Sequence, residues 1–234
     1  MNKKMKTLGL IGGTGWVSTI DYYRQINKGI NKRLGGLNAA KLMLYSLNYG
    51  DIDKANQTDD RESVFNLILD AAVKLQQSGV DALMLCANTT HMFTDRLTKA
   101  VPLPLIHIGE ATARAIQTKG LKKVGLLGTK FTMEMDFYRD KLREAGIEMI
   151  IPEKDERDFI HSIIMSELLK DIFTPETKTG FLKIIEGLIS SGAEGIVLGC
   201  TEIPLLIHQD DISVPAFNTL EIHAKAAVDF ALSE

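Results

Sequence analysis

The feature that most constrains the fold is an internal repeat. Gly79-Val80-Asp81-Ala82-Leu83-Met84-Leu85-Cys86-Ala87-Asn88-Thr89 shares its layout with Gly192-Ala193-Glu194-Gly195-Ile196-Val197-Leu198-Gly199-Cys200-Thr201-Glu202, at an offset of 113 residues. The same offset pairs Val101-Pro102 with Val214-Pro215. A looser echo links Leu8-Gly9-Leu10-Ile11-Gly12 to Val124-Gly125-Leu126-Leu127-Gly128. Such self-similarity reads as two related halves. In this register Cys200 pairs with Ala87, and Cys86 is one position out.

Each copy of the repeat is a helix stop, a short apolar run and a polar exit. Runs this short, bounded by glycine, suit covered parallel strands. Strands are expected at 6–11, 41–47, 80–86, 105–108, 123–127, 146–151 and 196–198. Helices are expected at 18–34, 61–78, 90–99, 111–118, 131–145, 160–170, 175–190 and 220–232. Ser18 is the expected cap of the first helix, and Thr174-Pro175 opens the one before the second repeat. Asn56 and Gln57 are expected in a polar loop. Strand–helix alternation gives an α/β class: two pseudo-symmetric three-layer domains with mainly parallel central sheets. The expected domains are 1–103 completed by the C-terminal helix within 215–234, and 104–214. With one core in each half, the cleft between them is the expected site.

Composition excludes several classes. The net charge is -3 from 27 basic and 30 acidic residues, so no basic excess points to nucleic acid or a membrane surface. No apolar run approaches the ~20 residues that span a bilayer, and the basic start, Met1 to Lys6, is not followed by a signal-peptide core. Two cysteines do not indicate a disulfide framework, and reduced thiols fit a cytoplasmic chain. Neither Cys-x-x-Cys nor His-Glu-x-x-His occurs, and five scattered histidines do not make a metal site, so no metal is expected. Gly13 and Gly15 lack the third glycine of a dinucleotide loop, because position 18 is serine. A turn offering backbone N–H groups to a small anion is the better reading.

Ligands of open α/β sheets sit beyond the carboxyl ends of the strands. The polar residues there are Thr14, Ser18, Asn48, Asn88, Thr89, Thr129, Cys200, Thr201 and Glu202. Small hydroxyls and amides suit a carboxylate, and the thiol offers a nucleophile or a base. Taken singly, Thr14, Ser18 and Thr129 read equally as caps. Cys86 reads either as core or as reaching the site. His91 reads either as a cap or surface residue or as part of the site, and His107 and His223 read as structural. Lys170 reads either as a cation for a substrate carboxylate or as a helix C-terminal charge.

These residues resemble the aspartate/glutamate racemase superfamily, the kind without pyridoxal phosphate. The match runs through Gly12-Gly13-Thr14-Gly15-Trp16 with Ser18-Thr19, Asn88-Thr89 with His91, Leu127-Gly128-Thr129, Glu167-Leu168 and Phe173 around Lys170, and Gly199-Cys200-Thr201-Glu202. The resemblance implies cofactor-independent proton transfer at Cα by two cysteines on opposite faces, a small amino-acid or dicarboxylate substrate, and a homodimer. It implies Cys200, Thr89, Cys86 and His91 as candidate catalytic residues. Thr14, Asn56, Ala87, Asn88, Thr89, Thr129, Lys170, Cys200, Thr201 and Glu202 are its candidate substrate contacts. The chain departs from the family where Cys-Asn-Thr is usual, because Ala87 precedes Asn88-Thr89. Three readings follow: a racemase with an atypical second face, a one-face single-cysteine decarboxylase or isomerase, and a small-carboxylate binding protein without turnover.

Overall fold

The computed structural model of the chain describes residues 5–234. They form two compact units, one up to His107 together with His223–Glu234, the other Ile108–Ile222. The first unit holds β1 (Leu8–Gly12), α1 (Trp16–Leu34), β2 (Leu42–Ser46), α2 (Tyr49–Gln57), α3 (Arg61–Gln77), β3 (Ala82–Leu85), α4 (Thr94–Ala100) and β4 (Leu105–Ile106). The second holds α5 (Ile108–Thr118), β5 (Lys123–Leu127), α6 (Lys130–Glu134), α7 (Asp136–Glu144), β6 (Glu148–Ile150), α8 (Lys154–Ser166), α9 (Pro175–Ser190), β7 (Gly195–Leu198), α10 (Ile203–Leu206) and β8 (Ala216–Asn218). The last helix, α11 (Thr219–Ala231), opens in the second unit and ends in the first. β4 therefore lies with the first unit and β8 with the second, a few residues beyond the expected boundaries at 103 and 214.

Both sheets are parallel and have the same order, β2-β1-β3-β4 and β6-β5-β7-β8. The second unit shows why its strands are apolar on both sides. Val124, Leu126, Val197 and Phe217 pack with Ile116, Tyr138 and Leu142 of α5 and α7. Their alternates Leu127, Ile196 and Leu198 pack with Ile160, Phe181, Ile185 and Leu188 of α8 and α9. A strand covered on both faces reads as a continuous apolar run. In the first unit Ile11, Leu83 and Leu85 pack with Val64, Ile68 and Leu75 of α3. Leu8, Leu10 and Met84 alternate with them and are equally buried, as are Tyr22, Ile26 and Ile30 of α1.

The repeat is visible in the ladders. Leu83 lies opposite Gly9, as Ile196 lies opposite Gly125. The echo between residues 8–12 and 124–128 is therefore a true equivalence of β1 and β5. The offset of 113 holds for β3 and β7 but not for the next strand. Leu83 N–H donates to Pro104 O at 2.8 Å, and Ile196 N–H to Pro215 O at 2.9 Å. Pro104, not Pro102, is thus the counterpart of Pro215, because the connection in the second unit is two residues shorter.

Local expectations are corrected at four places. The cap of α1 is Gly15, while Ser18 lies inside the helix, buried, and donates to Gly15 O at 3.1 Å. Asn56 and Gln57 end a helix rather than lie in a loop, because Asn48 caps α2 by accepting from Gly50 N–H. The helix expected over 131–145 is broken at Met135, whose backbone is extended. The helix expected over 160–170 starts earlier, at Lys154, and gives way to a 3-10 turn, Leu168–Lys170. Among the described residues no helix is long and apolar enough to cross a membrane.

Two glycines separate steric from conformational demand. Gly13 and Gly79 have φ of +80° and +78°. A methyl at Gly13 would meet Leu47 O at 2.0 Å and Leu47 N at 2.5 Å, whereas a methyl at Gly79 would meet nothing within 4 Å. Gly79→Ala is expected to cost about 1 kcal/mol, the left-handed penalty alone. Gly13→Ala is expected to cost about 3 kcal/mol or more, because the backbone of Leu47 must move as well. Urea unfolding of both variants, followed in the first unit, checks the difference.

Candidate functional site

The exits of the two central strand pairs carry the candidate residues. In the second unit Gly199 N–H donates to Leu127 O at 2.6 Å and closes the ladder. Gly128 is required beside it, since a methyl there would lie 2.9 Å from Gly199 O. Cys200 is the next residue and is 7% exposed. Its thiol donates to Glu202 Oε2 at 3.1 Å, and the Thr201 hydroxyl donates to the same oxygen at 2.9 Å. Backbone N–H groups of Glu202 and Ile203 point at the sulfur and favour its anion. Burial and then the adjoining carboxylate outweigh them and hold the thiol well above its ordinary range. The resting pair is therefore a protonated thiol donating to a carboxylate.

Glu202 is 2% exposed, and its other oxygen, Oε1, has no hydrogen-bond partner among the described residues. An unpaired buried carboxylate oxygen costs about 1–3 kcal/mol or more. It is an acceptor suited to a positively charged donor such as an amino group. Thr129 caps α6, accepting from Thr132 N–H at 3.3 Å, with the two hydroxyls 3.2 Å apart. Lys170 is exposed in the 3-10 turn and makes no salt bridge among the described residues.

The first unit repeats the backbone and changes the side chains. Cys86 N–H donates to Ile11 O at 2.9 Å, so Cys86 occupies the place of Gly199 and Ala87 that of Cys200. Cys86 is fully buried and its thiol is pushed far up by desolvation. Of its two readings, core packing fits this environment. Asn88 is buried, and Ala87 and Thr89 are half-buried. Thr14 is half-buried, with a buried hydroxyl oxygen unpaired among the described residues. The loop around it is folded back by Thr19, which accepts from Gly13 N–H at 3.0 Å and donates to Gly15 O at 2.7 Å. Among the described residues no side chain caps α1 and no acidic residue lies in its first turn, so the helix dipole there favours an anion. Asn56 is exposed near the far end of α2, about 12 Å along the helix from Asn48 at the strand exit.

His91 is neither a cap nor a surface residue. It is 1% exposed, and its Nδ1–H donates to Ala87 O at 2.8 Å, where the Thr90 hydroxyl also donates at 3.1 Å. It sits against His107 and His223, at ring-centroid distances of 4.6 and 5.6 Å. His223 donates through Nε2 to Ile106 O at 2.7 Å and accepts at Nδ1 from the Tyr22 hydroxyl at 3.0 Å. Sequence reasoning missed this cluster, the Thr19 and Thr132 contacts, and the Cys200–Glu202 pair. The Cys-x-Glu spacing across a turn was the available signal for the last.

A family model described as Asp/Glu/hydantoin racemase matches residues 11–227. The broad-specificity amino-acid racemase RacX of Bacillus subtilis is 26% identical over 229 residues, covering 97% of this chain and 98% of that one. The crystal structure of a proposed Asp/Glu racemase from Yersinia pestis is 43% identical, with a TM-score of 0.90 over 98% of this chain and 100% of that one. An aspartate racemase homologue from Pyrococcus horikoshii is 34% identical, with a TM-score of 0.82 over 98% and 100%.

The histidines give the first unit a pH signature. Desolvation pushes His91 down to about 4, and desolvation with the neighbouring His91 pushes His223 down to about 3, both from 6.5. The unfolded chain therefore takes up protons first as pH falls. Stability is full above about pH 6.5 and is lost toward pH 4, each imidazole removing on the order of 2–3 kcal/mol. Urea midpoints between pH 7.5 and 4 are expected to fall steeply, and less so when His223→Gln removes one of the groups.

Proposed function

Because the chain belongs to the Asp/Glu/hydantoin racemase family and is an amino-acid racemase, we propose that Cys200 exchanges the α-proton of an acidic amino acid and that Glu202 receives the thiol proton. The observation that carries this reading is the hydrogen bond from Cys200 Sγ to Glu202 Oε2. In the first step the S–H bond breaks and an O–H bond forms on Glu202. The N–H groups of Glu202 and Ile203 then hold the thiolate. The thiolate takes the proton from Cα, and the electron pair passes into the substrate carboxylate. That charge needs surrounding donors, a role proposed for Asn88, Thr89, Thr129, Thr201 and Thr14. Lys170, exposed and without a salt bridge among the described residues, is proposed to meet the side-chain carboxylate of aspartate or glutamate.

Inversion needs a proton from the opposite face. The methyl of Ala87 carries none, and the ring of His91 is committed to backbone carbonyl groups. The hydroxyl of Thr89, directly or through water, is the proposed donor. Ala87 also favours a second reading, an enzyme that exchanges the proton on one face only. A homodimer is part of the proposal. Its support is an apolar stripe on α1, Trp16, Ile20 and Tyr23, all about half exposed, with exposed Met43 and Leu44 on the edge strand β2.

Proton NMR in D₂O with L- and D-aspartate and L- and D-glutamate, paired with chiral chromatography, tests the scheme. Exchange at Cα with formation of the other enantiomer is expected, abolished in Cys200→Ala. Glu202→Gln is expected to slow exchange about 10²–10³-fold, the worth of a positioned proton acceptor. Exchange without inversion would establish the one-face reading. Saturable thermal stabilisation without exchange would mean binding without turnover.

A further inference from the structure

The duplicated turn after the central strands is held by different means in the two units. In the second unit, residue 204 is proline in the first turn of α10, and its ring fixes the backbone there. By the offset of the repeat, His91 stands at that position in the first unit. A histidine ring does not restrict φ. It does carry an N–H, and that N–H reaches back four residues to Ala87 O.

We propose that His91 is a positioning residue that fixes the Ala87–Asn88–Thr89 turn through the Ala87 carbonyl, and that His223 and His107 hold its ring in place. Its relevance to turnover rests on the reading of Asn88 and Thr89 as substrate-binding residues. The tautomers follow from the acceptors. Ala87 O is the acceptor 2.8 Å from His91 Nδ1, with the Asn88 and Ile106 carbonyls also against that ring, so the hydrogen is assigned in this proposal to Nδ1; Nε2 of His223 donates to Ile106 O, and its Nδ1 accepts from Tyr22. The rings of His107 and His223 lie against His91 at 64° and 67°, and that of Tyr22 against His223 at 87°. All four residues are at most 5% exposed. They come from α1, the turn after β3, the end of β4, and α11.

Three buried imidazoles are a poor way to fill space. Apolar side chains of similar volume would avoid the cost of desolvating six ring nitrogens. The cluster is not arranged as a metal site either, since no group of three or more His, Cys, Asp or Glu among the described residues is placed to hold an ion. What an imidazole supplies here and a leucine does not is a directed N–H. Fixing the Ala87 carbonyl fixes the peptide plane that leads into Asn88. A displacement of about 1 Å in such a turn is worth about 10²-fold in rate.

Two substitutions separate the N–H from the volume. His91→Leu fills the space without a donor, and His91→Asn restores a donor near the position of Nδ1. His91→Leu is expected to lower kcat/KM about 10²-fold and to raise amide hydrogen exchange over 87–91, while His91→Asn recovers most of both. Imidazole ¹⁵N spectra of the wild type are expected to show the Nδ1–H tautomer of His91. Equal loss in both variants, or unchanged exchange over 87–91 in His91→Leu, would overturn the proposal, as would the Nε2–H tautomer. If His91→Leu does not fold, the tautomer and the exchange behaviour of His91→Asn still decide it. If the wild type turns over no amino acid, the racemase reading fails, and the exchange and tautomer measurements test the turn regardless.

Discussion

The chemistry of this chain depends on where two parallel ladders end. In each unit the last bond between the central strands is an N–H donated to a carbonyl, Cys86 to Ile11 and Gly199 to Leu127. The other end is pinned by an acidic side chain accepting from the neighbouring strand's entry. Asp81 takes Thr7 N–H at 2.6 Å, and Glu194 takes Lys122 and Lys123 N–H at 2.6 and 3.1 Å. Between these pins the strands are buried on both faces, so a slip by one residue would drive each side chain into the wrong layer. The residue after the ladder therefore has no freedom of register. It is Ala87 in one unit and Cys200 in the other, and what each half can do follows from that.

Much of this frame was legible because it is written in the backbone's demands on composition. Apolar runs bounded by glycine marked the central strands, and the repeat gave their equivalence. What failed was whatever depends on a few residues or on distant partners. β8 is three residues long and carries no run that marks it. The two-residue difference between the connections shifts the equivalence from Pro102 to Pro104, which the sequence offset alone conceals. The break at Met135 carries no glycine or proline, so periodicity runs straight through it. Ser18 looked like a cap by type, but the glycine-rich loop before it bends at Gly15 and takes that place.

The candidate site was legible as a set of residues and illegible as contacts. Position after a strand singled out Cys200, Thr201 and Glu202, but not that the thiol donates to the carboxylate. The imidazole cluster is assembled from residues 22, 91, 107 and 223, which have no common period or motif. Only the sheet order, which puts β4 beside β3 and carries α11 back to the first unit, brings them together. Lys170 was placed correctly at the end of a helical segment. That it makes no salt bridge among the described residues was not visible from sequence.

The unlike halves meet a thermodynamic restriction that their geometry cannot evade. Two enantiomers have equal free energy in water, so racemisation has an equilibrium constant of unity. At that equilibrium kcat/KM must be the same from the L side and from the D side, whatever groups serve the two faces. The proposed pairing of a thiol and its carboxylate with a hydroxyl cannot make a one-way racemase. The asymmetry is confined to kcat and KM separately, which must rise or fall together between directions. It also appears in isotope exchange. In the proposed scheme Cys200 passes its proton to Glu202, while the other face has no thiol. In that scheme Ala87 leaves the direction of racemisation untouched and acts on how often an abstracted proton returns to the face it left.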